Sequence, residues 1–393
     1  EMAERALAHV EKIEWIRPIE GADNIELIGV LGWVCIAKKG EFNVGDMAVY
    51  IEIDSKCPET DERFAFLANK KFKVKTMKLG KFKVISQGLA LPLSLFPELQ
   101  DKNIGDDVTE ALKITYASEE DAARKTNKVD PNAKYKSMAK RRPKLFANPI
   151  VRRIMRYSIG RKIMFLLFGR KKDNPKKFPD WIVKTDETRI ENVPFYLQST
   201  EKWIKTEKCD GTSCTFAVDR SKKGKNKFDF IVCSRNVRQA DREQACYHES
   251  NIYWELADKY DIEKILTQFA TENNYNRVVL QGEGVGLVQG NPYKFTENKL
   301  FVFNLIIDGT RLGTVEMADF CKSHGLTSVP IIDTAYELPK TMEEMKLEAD
   351  GYSELNPKVK REGFVYRSID GQQSFKNVSR EYLFTQRIGV IYE

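Results

Sequence analysis

Lys205–Phe216 reads KTEKCDGTSCTF, and two structures compete for it. In one, Asp210-Gly211 is the tight turn of a β-hairpin and Lys208 is a solvated lysine beside it. In the other, Lys208 is a nucleophile, held on a loop so that its amine meets a phosphorus atom. Asp-Gly is among the strongest hairpin signals, so the stretch alone favours the turn. The rest of the chain has to decide.

The 393 residues are 42% hydrophobic and 31% charged, enough for a buried core and for two or three domains. The net charge of +7 is unevenly placed. Residues 140–177 hold fourteen Lys/Arg and one acid, Asp173, so the remainder is net acidic. Positive charge gathered in one segment points to a polyanion or an anionic surface. Seven cysteines, an odd number without a CxxC pair, and three histidines argue against a zinc site or a histidine triad. They fit reduced thiols in a cytoplasmic protein. The charged N-terminus is unlike a signal peptide. The apolar run Ile163–Phe168 is too short to span a bilayer, so no stable membrane association is expected.

Residues 1–112 alternate apolar and polar positions between glycine turns, as in IELIGVLGWVCIAKKG and GDMAVYIEID. About five short strands without a long helix predict a small closed barrel of the OB type. Trp33 with Lys38, Lys39, Lys73, Lys75 and Lys78 either offers stacking and phosphate contacts to a single strand or is a core tryptophan among solvated lysines. Residues 113–180 lose the alternation. A polar linker is followed by NPIVRRIMRYSIGRKIMFLLFGRKK, where Ile150, Val151, Ile154, Met155 and Tyr157 between arginines predict one or two amphipathic helices. Docking on the next domain or contact with nucleic acid suits this segment better than a membrane surface. Residues 181–393 mix strands with helices over Gln239–Tyr260, Ile262–Asn273 and Thr314–Lys322, an α+β domain with a largely antiparallel sheet.

The strands of this last domain carry polar residues in a recurring order. Lys208 and Asp210-Gly211 precede the first, and Thr206-Glu207 stand just before the lysine. CSRN supplies Arg235 and Asn236, and LQGEGVG supplies Glu283. FVFN places Phe301 and Phe303 on one strand face. REGFVYR supplies Glu362, and SFKNVS supplies Lys376.

The order K-x-D-G, S-R-N, E-G, F-x-F, E-G-x-V, F-K resembles motifs I, Ia, III, IIIa, IV and V of the covalent nucleotidyltransferase superfamily, which contains ATP-dependent RNA and DNA ligases and mRNA capping enzymes. The N-terminal barrel, ISQGL and KTDETRIEN make the chain similar to RNA ligases with an OB domain ahead of the adenylation domain, the Deinococcus/Naegleria type. The likeness covers nearly the whole chain except the basic segment. It implies that Lys208 takes AMP from ATP. It further implies that Glu362 partners Mg²⁺ or Mn²⁺ and that Lys376 balances charge on the α-phosphate. Glu283 would bind ribose hydroxyls, Phe301 or Phe303 would stack on adenine, and Thr206-Glu207 would face the adenine edge. Arg235 would meet phosphate or the ribose-phosphate of the strand being sealed, and Asp210, Gly211 and Asn236 would be among the cofactor-binding residues. The implied partner is RNA with 5′-phosphate and 3′-hydroxyl ends, as in a nicked duplex under repair, bound by a monomer.

Chemistry adds a demand, because attack on phosphorus needs an uncharged amine while a free lysine has a pKa of about 10.4. Partial burial and a second cation, Lys376 with a metal, would favour the neutral form. One departure stands out. Many members carry a K-x-K pair at motif V, but here Ser374 and Val378 flank Lys376 at two residues' distance, which leaves compensation by Arg380 or another lysine open. Asp186, Glu187, Arg189 and Asn192 of KTDETRIEN either serve the site or form a helix N-cap. DNA ligases and capping enzymes carry an OB domain after motif V, for which the residues following Lys376 leave no room. A non-catalytic RNA-binding module is the rival of a different class.

Overall fold

The computed structural model describes residues 6–117, 142–168, 176–220, 224, 227–239, 242 and 251–385. Two compact units emerge, one of residues 1–117 with 177–393 and one of 118–176.

The larger unit begins with β1 (Ala8–Pro18), β2 (Ile25–Val30), β3 (Trp33–Lys38), β4 (Met47–Ile51) and β5 (Leu89–Pro92). They form one antiparallel sheet in the order β3-β2-β1-β4-β5. A register shift between Ile13 and Trp15 bends β1, as bulges do. Val10, Val49 and Ile51 therefore pack with Phe64 and Phe96 in one core, while Ile13, Ile28 and Tyr50 pack with Trp33 in another. Trp33 is 1% exposed. Of its two readings the core one is correct: burial and the Arg189 guanidinium 5.4 Å over the ring leave no face for a base, and the indole N–H donates to Asn192 Oδ1 at 2.5 Å. Lys78 is also buried, whereas Lys38, Lys39 and Lys75 are in solvent.

The rest of this unit is built on two sheets. The first contains β6 (Trp203–Glu207), β11 (Ile331–Tyr336), β12 (Gly363–Ser368) and β13 (Ser374–Val378), in the order β11-β6-β12-β13. The second is centred on β7 (Thr212–Arg220), β8 (Phe228–Cys233), β9 (Arg277–Val285) and β10 (Lys299–Ile307), in the order β8-β7-β9-β10. Helices α3 (Ile252–Lys259), α4 (Ile262–Glu272) and α5 (Thr314–Ser323) cover the second sheet and share its main core with Phe216, Leu280 and Val302. The helix anticipated from Gln239 begins at Ile252 among the described residues. Asn251 Oδ1 caps it by accepting from Trp254 N–H at 3.3 Å, while Gln239 is extended and bonds Val232 O. A short helix α6 (Arg380–Thr385) ends the described chain.

The smaller unit shows α1 (Pro149–Arg156) and α2 (Ser158–Phe168), where the sequence anticipates one or two amphipathic helices.

Candidate active site

The structure answers the question raised by KTEKCDGTSCTF. β6 pairs with β11 and β12, and β7 pairs with β8 and β9. The two strands flanking Asp210-Gly211 therefore belong to different sheets, and no hairpin exists there. Lys208 sits where the chain crosses between sheets, its own N–H bonded to Gly363 O at 3.0 Å. Gly211 serves close approach: a Cβ there would lie 2.2 Å from Gly284 O on β9. Cys209 is buried with its thiol pKa pushed up chiefly by burial, which leaves it inert.

Lys208 opens into a cleft of about 560 Å³, whose walls include Thr185, Glu187, Thr206, Glu207, Glu283, Phe303 and Arg367. Ser213, Glu283 and Phe301 face one another across β7, β9 and β10. Of the aromatic pair, Phe303 lines the cleft, while Phe301 is buried in a cluster with Cys209 and Tyr293. The Glu207 carboxylate accepts from Glu354 N–H at 2.7 Å and from the Ser353 hydroxyl. It thus ties down the 353–354 loop.

Lys208 Nζ pairs with Glu362 Oε1 at 2.9 Å, while Glu362 Oε2 is buried without a partner. Burial lowers the Lys208 pKa, but Glu362, Glu283 and Asp210 outweigh it and the net direction is up. Burial lifts Glu283 to about 8 against the pull of Lys208. Burial and then Glu362 lift Asp210 to about 6, opposed by the Tyr382 hydroxyl and Lys208. Lys376, on β13 opposite Val365, drops to about 7 through burial first and then Arg189, Lys208 and Arg235, against Asp186. The sequence expectation joined Lys376 to a metal; among the protein's own charges the carboxyl groups outweigh burial at Lys208. Lys208 faces three acidic side chains, whereas Lys376 has Arg189, Lys208 and Arg235 about it with Asp186 opposing them.

That carboxylate excess bears on a metal. Among the described residues no group of three His, Cys, Asp or Glu is disposed to ligate an ion directly. The orphaned Glu362 oxygen beside two carboxyls that burial drives toward protonation nevertheless fits a hydrated divalent cation, which keeps several waters and uses one or two carboxylates.

KTDETRIEN is not a helix cap; a single 3₁₀ turn, Ile190–Asn192, follows Arg189 with no side-chain cap. Thr185 bonds Ser213 at 2.6 Å, and Asp186 pairs with Arg235 at 2.5 Å while standing 4.0 Å from Lys376 Nζ. Glu187 accepts from Arg367 at 2.8 Å and from the Ser374 hydroxyl. The residue replacing the first motif V lysine is therefore used to hold Glu187. Thr188 O accepts the Lys376 N–H at 2.8 Å. Arg380 opens α6, and its charge acts on buried Lys346. Asn236 is half-buried on the Arg235 turn, outside the cleft walls.

Two residues at the site had no signal in the sequence. Tyr293 accepts the Asp210 N–H at 2.6 Å, and the Tyr382 hydroxyl on α6 donates to Asp210 Oδ2. Neither lies in a motif; only proximity reveals them.

The lysine at the junction of two antiparallel sheets, among acidic side chains and preceded by a barrel domain, agrees with the expected class, polynucleotide ligases that carry an OB domain ahead of the catalytic one. Comparison with known proteins places the chain within it. A family model described as an OB-fold domain matches residues 7–93, and one described as RNA ligase matches residues 201–379. Solved structures of Naegleria gruberi RNA ligase are similar throughout. An unliganded point mutant is 30% identical with a TM-score of 0.71, covering 98% of this chain and 99% of that one. A mutant with ATP and Mn (30%, TM-score 0.71, 98% and 100% covered) and the ligase with pyrophosphate (30%, 0.71, 98% and 99%) agree. No curated protein matches. The chain belongs to the RNA ligase family.

Proposed function

We propose that this protein is an ATP-dependent RNA ligase that joins 5′-phosphate to 3′-hydroxyl ends through lysyl-AMP and RNA-adenylate. The observation that carries the reading is Lys208 in the wall of a cleft, paired with a Glu362 whose second oxygen is buried and unpartnered.

In the first step Lys208 Nζ forms a bond to the α-phosphorus of ATP, and the bond to pyrophosphate breaks. The amine must first lose its proton, which the carboxylate ring resists. A divalent cation, when bound, supplies positive charge to the carboxylates and the α-phosphate. Glu362 would hold it through its free oxygen. Lys376 offers a cation to the α-phosphate as negative charge develops there, and the phosphate in turn restores the Lys376 proton. Glu283 accepts from ribose hydroxyls and Phe303 stacks on adenine, with Phe301 packing behind it. Thr206 faces the base edge, whereas Glu207 acts through the 353–354 loop. Arg235, held by Asp186 and flanked by Asn236, receives the phosphate of the strand being sealed. Gly211 sets the loop, and Asp210, positioned by Tyr382, completes its acidic wall.

In the second step a 5′-phosphate oxygen takes AMP from Lys208, and the freed amine leaves. In the third the 3′-hydroxyl attacks that phosphate, forming the phosphodiester as AMP departs. We assign the RNA platform to residues 1–112, adenylation to 181–393 and the intervening linker and helices to 113–180, with a monomer acting on nicked duplex.

The test is incubation with α-labelled ATP and Mg²⁺ or Mn²⁺, followed by a denaturing gel and a nicked-RNA sealing assay. Label on the wild type but not on Lys208→Ala, with sealing, is expected. An unlabelled wild type, once prior adenylation is excluded, would leave the non-catalytic RNA-binding reading.

A further inference from the structure

The basic segment is the part of the sequence that the ligase chemistry does not use. Over residues 142–168 there are seven Lys/Arg and no acid. The two helices close on each other at Gly160, where a Cβ would lie 2.1 Å from Ile154 O, and Met164, one turn on, is buried. Gly160 and Met164 thus mark the packed side of α2.

The remaining apolar residues of α2 point elsewhere. Ile159, Ile163, Leu166 and Leu167 are 70%, 50%, 84% and 64% exposed. Their spacing puts them on one face, between the packed side and the side carrying Arg161 and Lys162. α1 divides the same way. Ile150, Ile154 and Tyr157 are exposed on one side, while Arg152, Arg153 and Arg156 occupy the other.

Phosphate binding explains the arginines and leaves the aliphatic side chains in water. A second copy of the segment would cover the aliphatics but leave the seven cations of each copy without a counter-charge. A surface that is apolar below and anionic above satisfies both sets, with aliphatic groups at the acyl boundary and cations on the headgroup phosphates. We propose that residues 142–168 are a peripheral docking surface for anionic lipid membranes. Among the described residues no helix is long and apolar enough to cross a membrane, so the association is interfacial and reversible. This proposal stands apart from the ligase reading, since none of these residues belongs to the cleft.

The full-length protein should co-sediment with vesicles of phosphatidylcholine plus phosphatidylglycerol and not with phosphatidylcholine alone. Ile163→Ser/Leu166→Ser/Leu167→Ser should weaken that binding by about tenfold or more, with lysine labelling by ATP unchanged. Arg152→Ser/Arg153→Ser/Arg156→Ser should weaken it as well, and added salt should do the same. Three results would overturn the proposal. One is absence of binding to the anionic vesicles. Another is binding that ignores the aliphatic substitutions, which would mark a polyanion site such as one for RNA. The third is wild-type self-association in light scattering that those substitutions abolish, which would assign the face to another copy.

Discussion

Tyr382→Phe deletes one hydroxyl and keeps the ring that packs in the protein, so it isolates the bond to Asp210. Tyr382 is 6% exposed, and its hydroxyl donates to a carboxylate already lifted to about 6 by burial and by Glu362. A buried hydrogen bond to a charged group is worth about 1.5–3 kcal/mol, and every ~1.4 kcal/mol of barrier is tenfold in rate. If Asp210 must be ionised and fixed for lysine adenylation, the variant should form lysyl-AMP roughly ten- to a hundredfold more slowly. The defect should deepen as pH falls, because losing the donor lets the Asp210 pKa rise further. The assay is single-turnover labelling with α-labelled ATP on wild type, Tyr382→Phe, Asp210→Asn and the double variant, with melting curves as a fold control. Acting only through Asp210, Tyr382→Phe should add nothing to Asp210→Asn. Multiplying defects, or a Tyr382→Phe as fast as wild type, would refute the positioning role. An unlabelled wild type would instead remove the ligase reading itself.

Other outcomes follow from the same geometry. Lys376 has a folded pKa of about 7 against 10.5 for a lysine in water, so across that window the unfolded chain binds the extra proton. Its contribution therefore makes stability rise with pH from about 7 upward, and Lys376→Met should flatten the slope of melting temperature against pH; an unchanged slope means the lysine is not desolvated. Lys346 and Glu191 pair at 2.8 Å with side chains 2% and 1% exposed. Lys346→Met, stranding a buried carboxylate, should cost about 3–5 kcal/mol in urea unfolding, with Lys346→Met/Glu191→Leu recovering most of it; an additive double variant would contradict a true pair. Gly211→Ala drives a Cβ to 2.2 Å from Gly284 O, so it should lower the melting temperature and slow labelling together. A stable variant with normal labelling would show that the loop relaxes freely.

Period-two patterning made the barrel strands readable, most cleanly in β3, whose burial alternates along its length, and glycines mark the turns between them. The recurring polar residues at strand ends made Lys208, Glu283, Glu362 and Lys376 readable as one group, and the fold does bring them to one cleft wall or within charge reach of it. Sequence could not tell that Glu207 would turn toward Ser353 and Glu354 or that Phe301 would lie behind Phe303, since which strand face lines a cleft depends on partners remote in the chain. The direction of the Lys208 shift was hidden for a related reason. It depends on how many carboxylates converge, and Asp210, Glu283 and Glu362 come from three separate stretches. Tyr293 and Tyr382 were invisible because one hydroxyl on a loop or a terminal helix has no spacing to betray it.

KTDETRIEN shows what a local reading costs. As an isolated nonapeptide it resembles a helix start, because Thr-Asp-Glu can satisfy free N–H groups. In the fold each residue spends its polar groups on a different element. Asp186 and Glu187 hold Arg235, Arg367 and Ser374 at the cleft, and Thr188 O takes the Lys376 N–H. Past Ile190 the strap enters the barrel. Glu191 O accepts from Gly32 N–H at 2.9 Å, Asn192 accepts from Trp33, and its amide donates to Glu52 at 2.7 Å. The backbone neighbour of Lys376 and the hydrogen-bond partners of the OB-type sheet are thus three to four residues apart, joined through one 3₁₀ turn. A displacement of the barrel against the adenylation domain must act on that segment, and through Thr188 on the strand that carries Lys376. The residues of KTDETRIEN are a joint that bonds both the OB-type sheet and the strand carrying Lys376.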